Sequence, residues 1–290
     1  MRGRAWRAFR RNRLALGGAG LVGAFTLIAL LSPWIVPHDP TRGDLSRRLQ
    51  PPAVSAEGDW IYPLGTDNLG RDLLSRIIAG SRVSISLGLL VIVVCTVVGV
   101  SLGLISGYVG GWVDTVIQRT VDVLLAFPYL ILAIALMALF GPGFLNMVIA
   151  LAFKEWPTSC RIVRSEVLTM KEAAFVEAAR AIGATPTRIL FRHLLPNVIP
   201  SAIVIGTLRV GWVVLMEAAL SFLGLGIQPP QASWGTIIAD GRQYLYAARG
   251  WWISTFPGIA IFLFVLGMNL FGEGLRDALD PRLAGVPLPE

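Results

Sequence analysis

Charge and lysine are scarce in this 290-residue chain. Only 15% of its residues are charged, and lysine occurs twice, at Lys154 and Lys171. An ATP-binding P-loop needs a glycine immediately before its lysine. Phe153 precedes the first lysine and Met170 precedes the second, so the chain has no P-loop. Any ATP hydrolysis by that motif must therefore come from another protein.

Cysteine and histidine are equally scarce, with two of each. Cys95 and Cys160 both fall in apolar stretches. There they are interpreted as small core residues that say nothing about the redox compartment. The sequence contains no cluster of paired acids, or of histidine with aspartate, at one predicted depth. This argues against a membrane-embedded enzyme, which needs its catalytic groups gathered together.

Apolar residues are what the chain has in excess. Hydrophobic residues make up 54% of it, and its mean hydropathy is +0.66. Because about 20 consecutive apolar residues span a bilayer, the sequence predicts an integral membrane protein. We expect six spans, at residues 14–36, 83–106, 120–140, 144–164, 197–225 and 251–273.

The basic residues set the expected orientation of these spans. Six arginines precede the first span, and the net charge of the chain is +7. By the positive-inside rule the N-terminus stays in the cytoplasm. Alternation then places the loop 37–82 outside, and the loop 165–196 and the C-terminus inside. Residues 161–192 carry six basic and three acidic side chains, in agreement with this topology.

The same topology bears on other interpretations of the chain. The first span is longer than the apolar part of a signal peptide and no cleavage site follows it, so we expect it to be retained. Basic residues that cluster beside spans indicate membrane topology and not nucleic-acid binding. His38 and His193 lie on opposite sides of the membrane in this topology, so they cannot form one metal site.

The inner loop 165–196 carries signals for two short helices. Thr169 and Glu172 match a capping box, which predicts a helix from Ala173 to Ile182. Gly183 is well placed to end that helix in a left-handed conformation. Thr185-Pro186 then predicts a second N-cap, with proline at the first helical position.

A short sequence pattern lies in this loop: Glu-Ala-Ala, three residues, Gly and a later Leu-Pro, formed by Glu177, Ala178, Ala179, Gly183, Leu195 and Pro196. It resembles the EAA loop of bacterial ABC importer permeases. The resemblance implies that the loop is the socket through which a separate ATPase drives the membrane subunit. From the residues alone, the alternative is an ordinary loop helix lying on the lipid headgroups. The family often has isoleucine where His193 stands, although histidine is common in the peptide-transporter branch.

Four further stretches resemble the OppC/DppC branch, the permeases of dipeptide, oligopeptide and nickel importers. They lie in the family's order, at residues 64–72, 107–114, 220–226 and 274–283. In one interpretation their residues only fold the loops, for example as a turn closed by an aspartate. Arg71 and Asp72 are then a surface pair worth under about 1 kcal/mol. The first stretch is an external motif formed by Gly65, Thr66, Asp67, Gly70, Arg71 and Asp72.

The resemblance implies an all-α integral membrane protein of six transmembrane helices, with a MetI-like permease core and an extra N-terminal helix. Residues 1–82 then hold the basic cytoplasmic N-terminus, the first transmembrane helix and an external loop. Residues 83–290 form the permease domain, with its EAA coupling loop at about 165–196. The implied location is the bacterial inner (plasma) membrane, crossed several times, with both termini in the cytoplasm.

The resemblance also implies a function and a set of partners. The chain is expected to be the permease subunit of an importer that moves dipeptides or oligopeptides inward by alternating access. Its implied partners are a second, OppB/DppB-like permease, two P-loop ATPase subunits, an extracytoplasmic peptide-binding protein and membrane lipid. ATP and Mg belong to the ATPases, and this chain binds no cofactor. Nickel or another small solute is an alternative cargo, and a passive channel or scaffold is the alternative from a different class.

Four ionisable residues fall within the predicted spans: Lys154, Glu155, Arg209 and Glu217. Charges at membrane depth are costly, so each is a candidate for a functional role. Adjacent residues on a helix point about 100° apart, so the first two do not face each other. The four are either residues of the translocation path that meet the charged ends of a peptide, or charges neutralised by one another or by the partner permease.

Overall fold

The computed structural model describes residues 9–247 and 249–279. Over these residues the chain is all-helical, apart from one isolated β-bridge between Thr66 and Asp72. Residues 280–283 of the predicted C-terminal stretch lie outside this range. The helices are α1 (Arg13–Ile35), α2 (Leu73–Val109), α3 (Gly111–Ala126), α4 (Tyr129–Phe140), α5 (Phe144–Met170), α6 (Ala174–Ala181), α7 (Pro186–Ile189), α8 (Leu195–Phe222), α9 (Trp234–Gly241) and α10 (Trp252–Leu279).

Four stretches of helix are long and apolar enough to cross a membrane: α1, α2, α10 and the run Pro186–Phe222 that ends in α8. Helices α3 and α4 make a fifth candidate if they are taken as one bent span. Helix α5 covers the remaining predicted span and has 27 residues, but its charged residues make it less apolar than the others. Helix α2 begins ten residues before the predicted start of its span, because Asp72 caps it there.

The predicted third span, residues 120–140, is not one continuous helix. It breaks at Phe127-Pro128, and α3 and α4 meet there at 95°. Proline has no amide hydrogen, so the carbonyl of Leu124, four residues earlier, lacks its helical donor. Lys154 Nζ donates to that carbonyl instead, at 2.5 Å. The break is thus stabilised by a side chain from α5.

Helices α2 and α5 pack closely along a stripe of glycines. Gly99, Gly103 and Gly107 recur every four residues on α2 and face α5. A β-carbon at Gly103 would lie 2.7 Å from the Cys160 carbonyl oxygen, and one at Gly107 would lie 2.8 Å from Val167. Small residues at this spacing let two membrane helices approach until their backbones touch.

Helix α1 packs at the edge of the bundle, against α10 and α2. Only 17% of its apolar stretch is buried, compared with 50% for α2. This peripheral position agrees with the expected extra N-terminal helix added to a permease core.

Candidate coupling loop and intramembrane charges

The predicted coupling loop lies across the ends of α2, α5 and α8. Its helix α6 buries Val176 and Ala179, which are 0% and 3% exposed. Residues three apart share one face of a helix, and this face joins an apolar cluster that includes Leu104, Val167 and Val198. The loop is therefore fastened to the chain's own helices by its inner face.

The opposite face of α6 has no covering element among the described residues. Glu177 and Ala178 are exposed there, and so are the large apolar side chains Phe175 (43%) and Ile182 (84%). The resemblance implies that Ala178 and Ala179 both belong to the socket, but Ala179 faces inward. The sequence does not distinguish the two large apolar residues, because other apolar residues occur throughout this loop.

The bend after α6 follows the local prediction. Gly183 has φ +79°, and the amide of Ala184 donates to the Ala179 carbonyl at 3.0 Å. Thr185 caps α7 by accepting from the Arg188 amide at 3.4 Å, and Pro186 stands in the first turn. Helix α8 follows after one wide turn, Leu190–Leu194.

Leu195 and Pro196 open α8. The first is half-buried against the same apolar cluster that holds α6. The second is exposed in the first turn, where a missing amide hydrogen costs little. Both residues therefore belong to the junction between the loop and the spanning helix, whereas Glu177 and Ala178 form its outward face.

The predicted capping box at Thr169 is wrong. Thr169 lies in the last turn of α5, and its hydroxyl donates to the Ser165 carbonyl at 3.2 Å. Ala173 occupies the N-cap of α6 and makes no side-chain cap. Val163 and Val167 are buried against α2 and the loop, and this packing continues α5 past the capping signal.

An ion pair that was not predicted from the sequence stabilises the inner turn between α2 and α3. Arg164 on α5 donates to both oxygens of Asp114 on α3, at 2.6 and 2.5 Å, and the Ser106 hydroxyl also donates to Asp114. Nearby, the Arg180 guanidinium lies 5.9 Å from the centre of the Tyr108 ring. The sequence places Asp114 in the turn between the second and third predicted spans and Arg164 at the end of the fourth, but no spacing rule pairs residues so far apart.

The external motif folds into a buried ionic clamp centred on Asp67. One carboxylate oxygen accepts from the backbone amides of Leu69 and Arg71, at 2.8 and 2.9 Å. The other accepts from Arg71 Nε at 2.6 Å and from Arg76 Nη1. Asp240 on α9 lies 3.1 and 3.0 Å from the same two guanidiniums. The predicted aspartate turn is confirmed.

The predicted surface pair between Arg71 and Asp72 is wrong. Arg71 is 8% exposed and joins the Asp67 clamp. Asp72 instead caps α2 by accepting from the Ser75 amide at 3.2 Å, and it also contacts His38 Nδ1 at 3.2 Å. Arg71 and Asp72 are thus both buried, and each contacts other residues rather than its sequence neighbour.

The other members of the motif fix its backbone. Gly65 and Gly70 have φ of +80° and +72°, a region that favours glycine. Thr66 is fully buried; its hydroxyl donates to the Arg47 carbonyl at 2.5 Å, and its own carbonyl accepts from Trp252 Nε1 at 3.0 Å. The motif therefore joins the outer loop to α2, α9 and α10.

The four intramembrane charges separate into three arrangements. Lys154, 5% exposed, stabilises the break between α3 and α4. Arg209 Nη1 lies 2.9 Å from Glu155 Oε1, as an ion pair whose angle does not make a hydrogen bond. Lys154 and Glu155 therefore point to different partners, as expected of adjacent helical residues.

Glu217 forms a separate polar cluster. It is fully buried and accepts hydrogen bonds from Ser221 at 2.7 Å, Ser233 at 2.7 Å and Ser84 at 3.1 Å. Ser84 also accepts from the Trp234 amide. The cluster joins α2, α8 and α9.

Two cavities lie away from these residues. One, of about 400 Å³, is an apolar groove between α1, α2, α8 and α10, and the other, of about 460 Å³, lies beside His38 and Arg82. Neither is lined by the predicted coupling or path residues. Within the part of the chain that the structure describes, no group of three or more His, Cys, Asp or Glu could hold a metal ion.

The apolar spanning helices, with a loop packed across their ends, define an integral membrane protein. Residues 99–285 match the family described as "Binding-protein-dependent transport system inner membrane component". Residues 1–52 match the "N-terminal TM domain of oligopeptide transport permease C". The chain belongs to the family of inner membrane components of binding-protein-dependent transport systems, and the expected OppC/DppC resemblance is confirmed.

Curated relatives extend over nearly the whole chain. It is 43% identical over 278 residues to the "Di/tripeptide transport system permease protein DppC" of Pseudomonas aeruginosa, covering 96% of this chain and 91% of the relative. It is also 43% identical over 279 residues to the "Dipeptide transport system permease protein DppC" of Alkalihalophilus pseudofirmus, covering 96% and 89%. It is 40% identical over 272 residues to the "Probable D,D-dipeptide transport system permease protein DdpC" of Escherichia coli, covering 94% and 89%.

The fold is similar to that of a solved permease. The inward-facing MetNI methionine ABC transporter aligns with a TM-score of 0.59 and 19% identity, covering 72% of this chain and 98% of the other. The MetI-like core is confirmed as the fold. The chain is a multi-pass inner membrane protein, a permease subunit that works with other components of its transporter.

Proposed function

We propose that this chain is the transmembrane permease subunit of an ABC importer that moves dipeptides or oligopeptides into the cytoplasm. A second, OppB/DppB-like permease stands beside it, two P-loop ATPase subunits bind ATP and Mg, and an extracytoplasmic binding protein delivers the peptide. The three relatives reported above are named as dipeptide or di/tripeptide permeases, which supports the choice of cargo. Both termini of the chain lie in the cytoplasm.

The observation that carries the coupling mechanism is the two-sided packing of α6. Its inner face is anchored by Val176 and Ala179 on the ends of three long helices, and its outer face presents Glu177 and Ala178. A force applied to the outer face is therefore transmitted to α2, α5 and α8. Closure of the ATPase dimer moves α6 and tilts these helices, which is the alternating-access step.

Peptide uptake into proteoliposomes tests the function directly. The complex is purified through this chain, reconstituted with its binding protein, and supplied with ATP on the ATPase side. We expect concentrative uptake of a labelled tripeptide that stops when ATP is omitted. Gly183→Pro should abolish uptake, because proline cannot adopt φ +79°. Glu273→Arg, at the exposed end of α10 and away from the loop, is a surface control and should transport normally.

The orientation is tested by cysteine labelling. Both native cysteines are buried, so an introduced cysteine gives the only reactive site expected. Ala56→Cys, exposed in the outer loop, should react with a membrane-impermeant maleimide on intact spheroplasts. Thr187→Cys, exposed in the coupling loop, should react only after the membrane is opened. The reverse pattern would contradict the proposed topology.

A further inference from the structure

The ion pair between Arg209 and Glu155 lies near the middle of two spanning helices, α8 and α5. Its two side-chain atoms are 2.9 Å apart. Ionisable side chains at such depth face the interior of a bundle or a water-filled cavity, because exposure to lipid is costly. The open side of this pair therefore faces protein or water in the assembled transporter.

The two partners differ in exposure. The Glu155 side chain is 4% exposed, whereas that of Arg209 is 36% exposed. Lys154 and Glu217, the other two charges at membrane depth, are also buried and are held by other groups. Of these four residues, only Arg209 presents charge at the surface of the chain.

Arg209 has hydrogen-bonding capacity to spare. A guanidinium carries five N–H donors, and among the described residues only Glu155 pairs with it. Because Glu155 already neutralises its charge, a counter-ion from the partner permease is not required. An apolar partner surface would leave the remaining donors unsatisfied, at a cost in free energy. A water-filled path supplies hydrogen-bond acceptors for these donors without adding a counter-ion.

Two aromatic side chains stand beside the pair. Trp212, 40% exposed on α8, meets the Tyr129 ring edge-on, with ring centroids 6.1 Å apart. The Tyr129 hydroxyl is buried without a hydrogen-bond partner among the described residues. Tyr129 begins α4 immediately after the break in the third span. Trp212 lies one turn after Arg209 on α8, so α4 packs beside the guanidinium through this pair of rings.

We propose that Arg209 is a peptide-binding residue of the translocation path, which receives the C-terminal carboxylate of a peptide as it passes. The inference rests on the proposed function. A carboxylate matches the guanidinium fork with two parallel hydrogen bonds. Glu155 is a positioning residue that holds the guanidinium in place. The site is a transient one, because conduction needs binding that is weak enough for release.

The test compares trialanine with trialanine amide in the reconstituted, ATP-driven transporter. The critical variant is the double substitution Arg209→Gln with Glu155→Gln, which removes both charges and leaves neither one stranded. Uptake is expressed as the ratio of variant to wild type for each peptide, so the preference of the binding protein cancels. ATP hydrolysis stimulated by the binding protein reports whether the complex is assembled and coupled. Arg82→Gln removes an exposed arginine on α2 that has no ion-pair partner among the described residues, and it is the control.

We expect the double variant to lower trialanine uptake at least about tenfold, the factor for one lost charged hydrogen bond. Uptake of the amide should be unchanged, and so should ATP hydrolysis. Equal ratios for the two peptides, whether both fall or neither falls, would overturn the proposal and leave the pair as a neutral structural contact. If the wild-type transporter hydrolyses ATP but takes up no trialanine, the proposed function itself fails.

Discussion

The Asp67 clamp permits a quantitative prediction about the stability of the outer loop. Asp67→Asn keeps the shape of the side chain and the oxygen that accepts from two backbone amides. It removes the charge shared by Arg71 and Arg76, whose side chains are 9% and 3% exposed. The introduced amide hydrogens also face the guanidinium donors. Asp240, 35% exposed, is then the one carboxylate left in the clamp for two buried guanidiniums.

Removing one partner of a buried ion pair lowers the free energy of unfolding by about 3–5 kcal/mol, and we expect a loss of that size here. The measurement is the free energy of unfolding of the purified chain in detergent, together with the rate of protease cleavage in the outer loop. Glu57→Gln is the matched control, because Glu57 pairs with Arg249 at 67% and 65% exposure and such pairs contribute under about 1 kcal/mol. Equal losses for the two variants would refute the reasoning.

Two further stability predictions follow from the helix contacts. Gly103→Ala should cost about 1–3 kcal/mol, because the added carbon lies 2.7 Å from a backbone oxygen of α5. Gly17→Ala, at a helical position with nothing within 4 Å, should cost nothing. Lys154→Met should cost about 1–3 kcal/mol by leaving the carbonyl at the break unpaired. Denaturation of the purified chain checks all three, and an equal cost for both glycines would contradict the packing argument.

The predictions are correct where a residue determines the conformation of the backbone next to it. Gly183 was predicted to be left-handed and Thr185-Pro186 to start a helix, and both predictions are confirmed. The same holds for the aspartate turn at Asp67. These effects operate over two to four residues, so the signal is complete within a short segment of sequence.

Predictions failed where a distant contact outweighs the local signal. Thr169 has a good capping sequence, but burial of Val167 continues α5 through it. Residues 120–140 have the hydropathy of one span, but Pro128 breaks the helix and Lys154 supplies the missing donor. The compensating group comes from another helix, so no pattern in the segment itself reveals it.

The sequence identified the residues of the candidate site but not the contacts between them. The sequence placed Glu155, Arg209 and Glu217 at membrane depth. It could not assign Arg209 to Glu155 or surround Glu217 with three serines, because these contacts depend on how α2, α5, α8 and α9 are arranged. Likewise α6 was expected in the loop, but its inward and outward faces became known only from its packing.

The most direct test of the central claim is co-purification from native membranes. The chain is tagged, extracted gently, and its partners are identified by mass spectrometry. We predict that a P-loop ATPase and a second permease accompany the wild-type chain, and that Glu177→Arg, on the exposed face of α6, loses the ATPase but keeps the permease. A chain that purifies alone, or with partners that include no ATPase, would contradict the account and favour a channel or scaffold.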